Sequence, residues 1–154
     1  MIRFLYYLCF WITVCGIVYC QTLDSENSVT AKRPITLYRR QSIGPIAISE
    51  ASPEGHFICL ENISFGSEKK DVKLGGWILR RRVDGKQDYT YNFRDFTLRA
   101  GARVKIYANG SASAAGMNDL ILREEDNWGV GSKVNTTLIN DKGAEMARYI
   151  QTIL

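Results

Sequence analysis

LGGWILRRRVDGKQDYTYNFRDF, residues 74–96, is the stretch that decides the fold. Trp77 to Val83 and Tyr89 to Phe93 are short runs rich in aromatic and aliphatic residues, the composition of strands. Asp84-Gly85 lies between them, where a tight hairpin needs residues that accept positive φ. Tyr89, Tyr91 and Phe93 recur at every second position, which places three rings on one face of a strand. Core packing is the reading for that aromatic row, with a binding platform as the alternative.

Outward from this hairpin the same alternation of short runs and turn residues continues from Ile43 to the C-terminus. The pattern predicts strands over Pro45–Ser49, His56–Asn62, Arg103–Ala108, Asp119–Arg123, Thr136–Asn140 and Glu145–Ile150, with Asn109-Gly110 and Asp141-Lys142-Gly143 as turns. Alternation assigns Phe57, Cys59, Trp77 and Leu79 to one face, matched by Val104, Ile106 and Ala108. No heptad repeat runs through the sequence, so it contains no coiled-coil rod. The expectation is an all-β chain, an immunoglobulin-like β-sandwich over residues 43–151.

Two flanking segments precede it. Residues 1–20, MIRFLYYLCFWITVCGIVYC, are apolar after Arg3 and read as a signal peptide, a short membrane anchor or the product of a misassigned start. Residues 21–42 are polar, without sustained period, and read as a flexible linker.

A length of 154 residues and 45% hydrophobic content suit one domain with a packed core. The net charge of +4 is modest, and acidic residues are interspersed with basic ones, so charge alone does not imply nucleic-acid binding. Cys9, Cys15 and Cys20 fall in the apolar leader, which leaves Cys59 alone in the predicted sandwich. One thiol builds neither a disulfide framework nor a Cys-based zinc site.

The glycine and tryptophan positions carry a resemblance. RRQSIGPIAISEASPEGHFICLEN, LGGWILRRRVDGK, YNFRDFTLRAGARVKIYANG, DNWGVGSKVNTTLIN and DKGAEMA occur in the order found in the lamin tail domain. The chain from about Ser42 to Ile150 resembles that family, especially the C-terminal tails of invertebrate cytoplasmic intermediate-filament proteins. The resemblance implies a structural module of cytoplasmic filaments, with other filament chains or cytoskeletal and nuclear-envelope proteins as partners. It implies no cofactor and no catalysis. The family's rod is missing from this sequence, so the filament role comes by resemblance alone.

Individual residues agree with a structural reading. Trp77 after Gly76, and Trp128 before Gly129, read as core anchors at bends of the backbone. His56, the only histidine, stands three residues from Cys59, a spacing that puts the two on opposite faces of a strand and argues against a nucleophile–base pair. Glu124, Glu125 and Asp126 read as a solvated loop, because a Ca²⁺ site needs about six oxygen ligands in a spaced loop. Gly129 and Gly131 are followed neither by a helix nor by the Lys-Ser or Lys-Thr pair of a phosphate loop. The expectation is no catalytic site, metal or cofactor.

Two surface features remain. Arg80, Arg81, Arg82 and Lys86 form the densest basic run and are a candidate contact patch for an acidic partner, although strand alternation lets only part of the run share a face. Asn62, Asn109 and Asn135 head N-glycosylation sequons, with Asn62 and Asn109 the accessible candidates at strand ends. The sequons matter only if the leader works as a signal. In that alternative the chain is a secreted or membrane-anchored binding module for an acidic ligand, held at the membrane through residues 1–20.

Overall fold

The computed structural model describes residues 34–154; the apolar leader and most of the expected linker lie outside the described residues. Eleven strands follow in chain order: β1 (Thr36–Ser42), β2 (Ile46–Ala51), β3 (Phe57–Asn62), β4 (Val72–Lys73), β5 (Ile78–Val83), β6 (Gln87–Asn92), β7 (Thr97–Leu98), β8 (Arg103–Ala108), β9 (Leu120–Leu122), β10 (Lys133–Ile139) and β11 (Glu145–Ile153). They form a five-stranded sheet in the order β1-β11-β10-β5-β6, a four-stranded sheet in the order β2-β3-β8-β9, and the small pair β4-β7. The fold is the expected immunoglobulin-like β-sandwich.

Its core is filled from both large sheets. Leu79, Leu138, Ala147 and Tyr149 come from the five-stranded sheet, and Ile46, Ile48, Ile58, Leu60, Val104 and Ile106 from the four-stranded one. Leu79 pairs with Leu138, and Leu60 with Val104, so apolar residues sit directly across from each other on the inner face of each sheet. Trp128 is the largest fully buried side chain. Its indole N–H donates to the Ile106 carbonyl at 2.9 Å, satisfying the one polar group of an otherwise apolar anchor. Trp77 is only half-buried and packs against the edge of the core. Tyr89 and Tyr91 also pack on it, and Phe93 is buried in it, so the aromatic row serves packing.

The deciding hairpin is built as its residues require. Asp84 (φ 49°) and Gly85 (φ 69°) both take positive φ, and the Lys86 N–H donates to the Val83 carbonyl at 3.0 Å. Asp84 tolerates this because its carboxylate accepts the Lys133 N–H (2.8 Å) and the Ser132 hydroxyl (3.0 Å), which ties the hairpin to the start of β10. These donors, the Lys133 amide foremost, hold the Asp84 carboxyl below its ordinary pKa.

Several expectations need correction. The linker was expected to run through Ser42, yet Thr36–Ser42 is strand β1, paired over its full length with β11. It is an edge strand exposed at six of seven positions, so it carries no alternation for a hydrophobic pattern to reveal. At the other end β11 continues to Ile153, beyond the expected boundary at 151. Phe57 and Cys59 do not face the core. Ile58 pairs with Ile106 and Leu60 with Val104, which sends Phe57 and Cys59 to the outer face. All four residues of Phe57-Ile58-Cys59-Leu60 are apolar, so alternation alone left the face undetermined. Phe57 finds cover there from the Tyr107 ring and from the Lys105 ammonium 4.2 Å from its centroid. Asn109-Gly110 opens a 3-10 helix, Asn109–Ala114, and is no hairpin turn. Gly110 is needed because a Cβ would stand 2.6 Å from the Asp126 carbonyl oxygen.

Candidate interaction surface

Strand β5 divides its arginines as alternation demands. Arg80 and Arg82 are exposed on the outer face of the five-stranded sheet, and Arg81 points inward with 1% of its surface exposed. Arg81 therefore drops out of the predicted contact patch. Its Nη2 donates to the Gly129 carbonyl at 3.1 Å, and burial pulls its pKa down to about 10. Nε and Nη1 meet no protein partner, nor do the neighbouring Thr136 hydroxyl and the Gln151 carbonyl oxygen. This polar seam runs along the inner face of β5, β10 and β11 and is suited to buried water.

On the outer face, pairing register brings distant residues into rows. Gln41, Arg148, Thr137, Arg80 and Thr90 align across the sheet in one row. Arg39, Ile150, Asn135, Arg82 and Asp88 form the next, followed by Leu37, Thr152 and Lys133. Thr137 is 6% exposed despite facing outward, and its cross-strand neighbours on that face are Arg80 and Arg148. Five cations thus share this face: Arg39, Arg80, Arg82, Lys133 and Arg148. Two are neutralised in place. Arg82 forms a bidentate pair with Asp88, both hydrogen bonds at 2.6 Å, and Arg148 pairs with Glu145. The Arg82 hydrogen bonds hold the Asp88 carboxyl below its ordinary pKa. Arg39, Arg80 and Lys133 have no carboxylate partner among the described residues, and they give the face its net positive charge.

Of the predicted patch, then, Arg80 and Arg82 lie on this face, Lys86 is exposed in the adjoining turn, and Arg81 is in the core. Arg39, Lys133 and Arg148 join from segments 40 or more residues away in sequence, and only strand pairing could have found them.

The three sequons are placed very differently. Asn62 has no exposed surface, so it is not the accessible candidate expected of a strand end. Its Nδ2 donates to the carbonyls of Lys70 (2.8 Å) and Leu98 (3.0 Å), while Oδ1 accepts the Ser64 amide and hydroxyl. All four of its hydrogen-bonding positions are filled, and the sequon's own serine supplies two of them. Asn135 sits in the middle of β10 with a buried side-chain oxygen. Asn109 is exposed, its Nδ2 bonded to Asp126 at 3.1 Å.

Glu124, Glu125 and Asp126 are exposed in the loop after β9, and no group of three metal-ligating side chains occurs among the described residues. His56 is exposed and Cys59 buried, its thiol pKa pushed up by desolvation. No helix among the described residues is long and apolar enough to cross a membrane.

Comparison with known proteins gives this geometry its context. Residues 39–152 match the family model of the Lamin Tail Domain. Intermediate filament protein ifa-1 of Caenorhabditis elegans is 42% identical over 132 residues, covering 85% of this chain and 22% of the relative. Muscle cell intermediate filament protein OV71 of Onchocerca volvulus is 42% identical over 123 residues, 79% of this chain and 27% of the relative. The 70 kDa neurofilament protein of Doryteuthis pealeii is 41% identical over 137 residues, 86% of this chain and 21% of the relative. The chain spans about a quarter or less of the length of these relatives.

Proposed function

The chain belongs to the lamin tail domain family, and on that premise we propose that it is a structural tail module of cytoplasmic intermediate filaments, docking on filament or other cytoskeletal proteins without catalysis. The observation that carries the docking is the outer face of the five-stranded sheet, where Arg39, Arg80 and Lys133 stand without carboxylate partners. A rigid sheet that holds guanidinium groups in register suits recognition of carboxylates on a partner surface. Recognition of this kind speeds encounter and selects partners more than it adds affinity, so it weakens as salt rises.

The test is co-sedimentation of the full chain with filaments assembled from an intermediate-filament protein. The chain should pellet with filaments at low salt and leave them as ionic strength rises. Equal recovery at all salt concentrations, or none at low salt, would contradict docking through this face.

A further inference from the structure

We propose that Ser42 is a phosphoacceptor for an arginine-directed serine kinase. The sequence around it is Arg39-Arg40-Gln41-Ser42-Ile43, with two cations three and two residues before the hydroxyl and an apolar residue directly after it. Among the serines and threonines of the described residues, no other has arginine at both of those positions. The fold presents the segment in the form a kinase cleft accepts. Residues 39–42 are already extended, and all four are exposed. Strand β1 is the sheet's edge and has β11 as its one neighbour, so a single ladder holds it and its far side is open. Ile43, the apolar residue after the acceptor, is 58% exposed, and Gly44 at φ 100° turns the chain away directly afterwards. Among the described residues neither Arg39 nor Arg40 pairs with a carboxylate; Arg40 is held by Tyr149, through its ring, 5.3 Å from the guanidinium carbon to the centroid, and through a hydrogen bond to that side chain. Arg39 is therefore open to carboxylates of the kinase as it stands, and Arg40 meets them by exchanging its contact with Tyr149 for a charge-assisted one.

In the reaction the Ser42 Oγ attacks the γ-phosphorus of ATP. The Oγ–P bond forms as the bond to the bridging oxygen breaks, ADP leaves with that electron pair, and the hydroxyl proton passes to a carboxylate of the kinase. The product carries about −1.5 to −2 charges two residues from Arg40 on the same face of β1. A phosphate there takes Arg40 as its partner and draws it off the Tyr149 ring.

The experiment incubates the full chain, folded, with ATP, Mg²⁺ and the catalytic subunit of cyclic-AMP-dependent protein kinase, and locates phosphate by mass spectrometry. The expected result is one phosphate per chain, on Ser42, and none there in Ser42→Ala. Arg39→Ala and Arg40→Ala retain the hydroxyl and should each slow the initial rate about tenfold or more, the size expected from losing a charge-assisted contact. A synthetic peptide of residues 36–46 serves as control. Phosphorylation of the peptide without the folded chain would show that β1 withholds Ser42 and would overturn the proposal. So would phosphate confined to another residue, or arginine variants labelled at the parent's rate.

Discussion

Replacing Arg81 tests the interior of the sandwich through the one charged side chain that it buries. Its pKa of about 10 is roughly 2.5 pH units below that of a solvated arginine, and at about 1.4 kcal/mol per pH unit the charge is disfavoured by about 3 kcal/mol in the fold. Against this stands the hydrogen bond to the Gly129 carbonyl, worth about 1.5–3 kcal/mol for a charged donor. Arg81→Met fills most of the same volume, removes the desolvation and loses the bond, so the terms nearly cancel. We expect a stability within about 1 kcal/mol of the parent. Arg81→Ala loses the same bond and also leaves the volume of the side chain empty, which should cost about 2–5 kcal/mol. The assay is urea unfolding, comparing midpoints at unchanged slope. Equal stability of the Met and Ala variants would refute the packing argument. A loss above about 3 kcal/mol in Arg81→Met would show that the guanidinium has partners stronger than the Gly129 carbonyl.

The same residue makes an alkaline prediction. Above about pH 10 the folded chain releases the Arg81 proton while the unfolded chain keeps it, so this group adds stability as pH rises. Tyr91 and Tyr149 have raised pKa values from burial and do the opposite, because the unfolded chain loses protons that the folded chain retains. Arg81→Met should therefore lose stability more steeply than the parent in urea titrations above pH 10; parallel curves would contradict the assignment. Gly129→Ala should destabilise by about 2–4 kcal/mol, because φ is +77° and the new Cβ would stand 2.4 Å from the Tyr89 ring, and a smaller loss in urea would show that the loop yields. Asn62→Ala should cost about 2–3 kcal/mol by orphaning the carbonyls of Lys70 and Leu98, and a thermal midpoint equal to the parent's would contradict that network.

The sequence made the fold legible wherever one face of a strand is wet. The β5–β6 hairpin is the clearest case, since Asp84-Gly85 names its turn and the alternating tyrosines name its face. Strand β8 matches its predicted span, Arg103–Ala108. Where both faces are apolar, as in β3, periodicity could not choose the inner set and the pairing register decided it. Where nearly every position is wet, as in β1, there was no pattern to read, and the pairing with β11 holds the strand. Two-residue strands such as β4 and β7 are too short for any periodicity.

The interaction surface was half legible for a related reason. Alternation alone said that Arg80, Arg81 and Arg82 could not share a face, but which of them turned inward depended on the register with β10. Arg39, Lys133 and Arg148 come from other strands, and a linear basic run holds no trace of them. Asn62 carries a different lesson. Asn-Ile-Ser satisfies a modification pattern, while in the fold the same side chains close a turn around the Lys70 and Leu98 carbonyls.

The docking account stands or falls most directly on a charge-reversal pair in filament co-sedimentation. One variant carries Arg39→Glu, Arg80→Glu and Lys133→Glu on the outer face of the five-stranded sheet; the other carries Lys73→Glu, Arg99→Glu and Lys142→Glu, exposed cations outside that face with the same change in net charge. Filament recovery should be lost in the first variant and kept in the second, with both folded by circular dichroism. Equal loss in the two would reduce the effect to net charge, and recovery in the first would contradict docking through this sheet.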